Sequence, residues 1–166
     1  MKELMEYLNM MNGLCANDGM PYSTIEDFVL ANGQSFVTKT HEDLAMRELK
    51  LCFMNAMNLA IESAGELCYV EGYALKPGLI PIHHAWCVDE NDCVYDNTWR
   101  DIEGSAYYGV KFNIEYVLMS TLTSGYYGVI DRCEVGFPIL RGEHDTEQWR
   151  DGKYLDKVEH KHDRHV

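Results

Sequence analysis

Positive charge is what this chain has least of: 14 Lys and Arg stand against 27 Asp and Glu in 166 residues, a formal net charge of -13. That balance repels phosphate backbones and anionic headgroups, so neither nucleic acid nor a membrane surface is an expected partner. No stretch approaches the ~20 consecutive apolar residues of a membrane span. The opening residues Met1-Lys2-Glu3-Leu4-Met5-Glu6 lead into no apolar run, so no secretory signal is read and a cytoplasmic location is expected. Small size, many methionines and acidic charge suit a phage-encoded or accessory bacterial protein acting inside a host cell. There is no C-x-x-C pair, no internal repeat and no stretch that reads as a linker.

A chain of this length forms one domain with a real core, burying roughly two-thirds of its unfolded surface. The expected domain covers residues 1–140. Residues 141–166 read as a charged tail, a surface helix or partly disordered, with only Trp149, Tyr154, Leu155 and Val158 to bury. One rival reading makes that tail a partner-binding segment. The six cysteines, Cys15, Cys52, Cys68, Cys87, Cys93 and Cys133, are expected to be reduced, most of them as small buried hydrophobes.

Apolar spacing at Leu4, Met5, Leu8 and Met11 predicts a helix over residues 2–11 that stops at Gly13. A turn-rich piece, Ala16 to Tyr22, comes next. Ser23-Thr24-Ile25-Glu26 reads as a capping box for a helix ending at Asn32-Gly33. Helix formers run from Thr40-His41-Glu42-Asp43 to about Ser63, with a break expected just before Cys52, where the dipole of the new helix would favour thiolate. Leu67 to Leu75 reads as a strand closed by Pro77-Gly78. Strands Ile80 to Val88 and Cys93 to Trp99 form a hairpin. Phe112 to Leu122 reads as a helix and Tyr126 to Glu134 as a further strand.

Cys52, His84 and Asp96 are ordered as a nucleophile, a base and an orienting acid would be. A thiol is a weak nucleophile until an imidazole takes its proton, and a carboxylate fixes the tautomer of that imidazole. The hairpin makes the proposal geometrical. With an odd loop His84 faces Asp96 directly or diagonally, whereas a two-residue loop brings Asn97 opposite instead. Each residue also has a plainer reading. Cys52 in Leu51-Cys52-Phe53-Met54 fits core packing, His84 fits a satisfied core histidine, and Asp96 fits the start of a turn with Asn97. His83 competes as base but points to the other face of its strand. Trp86 and Trp99 are either core aromatics or walls of a binding cleft, and Glu71 either lies on a surface strand or reaches into that cleft.

Cys52-Phe53-Met54-Asn55-Ala56, Tyr69-Val70-Glu71-Gly72-Tyr73-Ala74, His84-Ala85-Trp86 and Asp96-Asn97-Thr98-Trp99 together resemble the transglutaminase-like branch of the papain-like cysteine proteins, over roughly residues 45–115. The resemblance implies an α+β papain-like fold, with helices carrying the Cys packed on an antiparallel sheet carrying His and Asp. It also implies acyl-transfer chemistry at a thiol and does not identify the substrate; a peptide, protein or small amide substrate and no cofactor are expected. The family pattern places a Gln several residues before the Cys as oxyanion donor, and Met46 stands there in this chain. Gln34, Asn55 or backbone N–H groups near Cys52 are the substitutes.

Metal chemistry is the main rival, since His83, His84, Cys87 and Cys93 lie close in sequence. Strand parity separates His84 from Cys87, and no metal is expected there. The run His160-Lys161-His162-Asp163-Arg164-His165 reads as solvated tail. The other rival to an enzyme is a non-catalytic protein that uses the same cleft to hold a peptide or small ligand, its acidic surface steering a cationic partner.

Overall fold

The computed structural model describes residues 1–14 and 19–151. Cys15, part of the turn-rich piece and the stretch from Gly152 onward, with its terminal histidines, lie outside the described residues. The order of elements is α1 (Lys2–Asn12), α2 (Ile25–Asn32), β1 (Gln34–Ser35), α3 (Cys52–Glu62), β2 (Cys68–Leu75), β3 (Ile82–Val88), β4 (Val94–Tyr95), β5 (Ala106–Phe112), α4 (Ile114–Ser124) and α5 (Thr146–Trp149). The strands form one antiparallel sheet in the order β1-β5-β2-β3-β4, so the fold class is α+β. Among the described residues no helix is long and apolar enough to cross a membrane.

The sheet buries both faces. One face presents Tyr69, Tyr73, Leu75, Ala85, Cys87, Val110 and Phe112 to the helices, which contribute Leu4, Leu8, Phe28, Val29, Ala56, Met57, Ala60 and Val117. The other presents Val70, Ala74, Trp86, Val88 and Tyr107, covered by Phe36, Val94, Ile102 and Trp99 from loops and short strands. His84 belongs to this second, loop-covered face, because it shares strand parity with Trp86. Side chains are removed where two strands cross beneath it: Gly72 pairs with both His84 and Gly109. A Cβ on Gly109 would stand 2.5 Å from the Glu71 carbonyl oxygen and 2.8 Å from Cη2 of Trp86, so the bare backbone is what lets the indole lie flat there.

Several expectations need correction. The cap of α2 sits one residue later than Ser23: Asp27 N–H donates to Thr24 Oγ1 at 2.9 Å, and Ser23 N–H donates to Asp27 Oδ2 at 3.0 Å. No helix forms between Thr40 and Lys50. Helix propensity is overridden there by tertiary bonds, with Arg47 N–H donating to Asn97 O at 2.7 Å and the His41 ring bonding Val94 O at 3.1 Å. β5 arises where no strand was expected, in a run buried at every residue but Tyr108, and α4 begins only after it, capped by Asn113. Residues 126–134 form no strand, because the N–H groups of Val129 and Ile130 turn inward to the Glu71 carboxylate. Trp149 lies beyond Arg141 yet packs against Phe28 and Phe112, with ring centroids 5.3 and 5.5 Å away.

Candidate active site

α3 starts at Cys52 because the chain before it cannot be helical. Lys50 is left-handed at φ 69°, a costly conformation for a residue with a Cβ, and Leu51 offers no capping side chain. α2 and α4 have a Thr and an Asn that take up N–H groups of the first turn; α3 has none, and among the described residues no acceptor meets the N–H groups of Cys52, Phe53 or Met54. The sulfur therefore stands beside open donors at the positive end of a helix, an arrangement that favours negative charge. Cys52 is 9% exposed.

Val88 pairs with Val94, so the hairpin loop is Asp89–Cys93 and odd in number. Asp96 then falls on the face of His84, diagonal to it, one residue past the end of β4. His84 and Asp96 are 1% and 3% exposed, and His84 Nε2 meets Asp96 Oδ2 at 2.7 Å. Tyr107 donates its hydroxyl to the same oxygen at 2.8 Å, while Oδ1 accepts from the N–H groups of Thr98 at 2.9 Å and Trp99 at 3.0 Å. Four donors thus hold the carboxylate in one orientation. Burial by itself would raise Asp96, but these bonds, led by His84, hold it below the ordinary carboxylate range.

The second ring nitrogen, Nδ1 of His84, is buried and makes no well-aligned hydrogen bond. Cys52 is the other neighbour, beside Asp96, that favours the protonated ring. Burial pulls the imidazolium down, yet Asp96 and Cys52 outweigh it and hold His84 up to about 9. Trp99 stacks on the ring, 4.3 Å between centroids and 19° from parallel, which fixes the imidazole plane. Asn55, one turn along α3, is tied to the acid's loop: its amide donates to Thr98 Oγ1 at 2.9 Å and to Glu48 O at 2.7 Å. Helix and loop are locked together at the point where sulfur and imidazole must meet.

Cys52, His84, Asp96, Asn55 and Trp99 are therefore gathered in one place, and Trp86 lies beneath as fully buried core. Glu71 and Gln34 are not brought there. Glu71 is on the helix-covered face, accepting from Tyr69 Oη at 2.7 Å and from two backbone N–H groups. Its burial lifts it to about 7. Gln34 pairs with Gly109, three strands from His84, roughly 14 Å away by strand spacing, too far for an oxyanion donor. Tyr107 is the partner that sequence reasoning missed; nothing in residues 106–108 marks it apart from an aromatic strand. His83 sits on the other face between Phe53 and Tyr73, and burial lowers it to about 4, so it stays neutral. No cluster of metal ligands occurs among the described residues. Comparison of the chain with family models, with curated proteins and with solved structures returns no match.

Proposed function

We propose that the chain is a cysteine-dependent hydrolase or acyl transferase acting on an amide or peptide-type bond, with a papain-like arrangement of helix and sheet. One observation carries the reading. A buried imidazole has one nitrogen held by a fixed carboxylate and the other without a partner among the described residues, and a cysteine that begins an uncapped helix lies near enough to influence the ring. His84 takes the proton of the Cys52 thiol, and the thiolate so formed is the nucleophile.

The sulfur attacks the carbonyl carbon, and the carbonyl electron pair moves to oxygen, where the open N–H groups of the first turn of α3 receive it. As the oxyanion collapses, the C–N bond breaks and His84 gives its proton to the departing amine nitrogen, leaving a thioester. Water then attacks the thioester carbon while His84 takes its proton; the C–S bond breaks and the thiolate is restored. An incoming amine in place of water makes the reaction a transfer. Asp96 and Tyr107 act through His84, as positioning residues. Met46 supplies no hydrogen at the place of the family's Gln, which leaves backbone donors to serve alone.

A second reading, a non-catalytic protein that holds a ligand, draws on a different observation. A cavity of about 160 Å³ is lined by His41, Met46, Asp96, Trp99 and Arg100 but not by Cys52, so it suits a group held beside the acid rather than at the sulfur. Alkylation by iodoacetamide across pH, with the label located by mass spectrometry, separates the two. Labelling of Cys52 well below the free thiol range of about 8.5, slowed at least about tenfold in His84→Ala, supports the enzyme. Labelling no faster than at the other cysteines sinks it.

A further inference from the structure

A separate cavity of about 670 Å³ opens between α4 and the segment after it, within the size range of small-molecule sites. It shares no residue with the Cys52 site. Tyr116, Met119, Val129, Val135 and Pro138 make its walls apolar. Arg132 also lines it, although the residue is only 4% exposed. A cation so deeply placed is normally bonded at every nitrogen. Here Nη1 donates to Ser120 Oγ and Nε to Glu134, while among the described residues no group accepts from Nη2. Glu134 is itself partly open to water, which screens that pairing.

We propose that this cavity binds a small molecule with an apolar or aromatic body and a single carboxylate, which accepts from the unengaged edge of the Arg132 guanidinium. The planar fork matches a carboxylate in shape as well as charge. The body of the ligand replaces water against the apolar wall. Glu115 and Glu143 stand at the same cavity, Glu143 already held by Arg141 at 2.6 Å, so a phosphate or a second carboxylate would meet like charge. The proposal is independent of the cysteine chemistry.

The test is a titration of the isotope-labelled full chain with 4-phenylbutyrate and with 4-phenylbutyramide, followed by amide chemical shifts. Saturable shifts are expected in α4 and in residues 129–138, with an apparent Kd of about 1 mM or tighter for the acid and binding at least about fivefold weaker for the amide. Met119 is 61% exposed, so Met119→Trp can fill the cavity without entering the core, and it should abolish the shifts. Arg132→Gln should erase the preference for acid over amide. Cys52→Ser should change nothing. Absence of saturable shifts at about 10 mM overturns the proposal. So does equal binding of acid and amide, or shifts that persist in Met119→Trp; that last variant decides the matter if Arg132→Gln does not fold.

Discussion

Replacing Tyr107 by Phe deletes one buried oxygen and leaves the ring, so it isolates the bond to Asp96. Among the described residues the hydroxyl has no other partner, and burial beside a carboxylate pushes it far above its ordinary range, so it acts as a neutral donor at every accessible pH. A hydrogen bond to a charged group contributes about 1.5–3 kcal/mol, and Oδ2 keeps its bond from His84; the lower part of that range applies, about 2 kcal/mol near neutral pH. The pH dependence has a definite sign. Asp96 is held below its unfolded value, so its contribution is present above about pH 3.9 and is lost as pH falls through the folded value. Removing a donor raises the folded value toward the unfolded one, so the penalty of Tyr107→Phe must shrink once the carboxyl is protonated. Urea unfolding of both proteins from pH 7 down through the pH at which the Asp96 carboxyl protonates, followed by its own NMR titration, measures this. A penalty unchanged once that carboxyl is protonated, or none near pH 7, would refute the role assigned to Tyr107.

His84 is held above its unfolded value of about 6.5, so the stability it confers is complete below that pH and is lost as pH rises through about 9; His84→Gln should flatten that slope in urea midpoints. Glu71 is raised too, so its contribution is present below about 4.3 and declines as pH rises through about 7, and Glu71→Gln should remove the decline across this lower window. Gly109→Ala places a methyl against the Glu71 carbonyl and the Trp86 ring, with an expected loss of about 3 kcal/mol or more in thermal unfolding. Trp149→Ala should cost about 3–5 kcal/mol by the same measurement, since the indole fills the space between Phe28 and Phe112. A full effect there would place residues beyond Arg141 in the cooperative unit.

Legibility in the sequence followed the range of the interactions. Helix starts and stops around Gly13, Asn32 and Cys52, and the parity that puts Asp96 beside His84, depend on near neighbours and strand period, and were readable. The run before Cys52 was misread because the Arg47 N–H and the His41 ring bond the carbonyls of Asn97 and Val94, which no local pattern announces. Residues 126–134 were misread for the same reason: a carboxylate from β2 replaces the strand partner. Glu71 shows the limit within the candidate site. An acid inside a strand of mostly small and aromatic residues reads equally as solvent-facing or cleft-facing, and its wholly buried place depends on two N–H groups far along the chain. Tyr107 was invisible because its role depends on β5 lying between β1 and β2, a fact of topology rather than composition.

That insertion also sets an order of events during synthesis. A growing chain produces Cys52, His84 and Asp96 in turn while the centre of the sheet is still missing. β1 has no neighbour, the Trp86 ring has no glycine to lie on, and the fourth donor to Asp96 has not been made. On the reading proposed above, Cys52 and His84 gain their full surroundings only after residue 112 has been made, because β5 lies between β1 and β2. If the proposed chemistry holds, a chain halted before residue 106 should carry Cys52 as an ordinary cysteine, alkylated no faster than its other thiols.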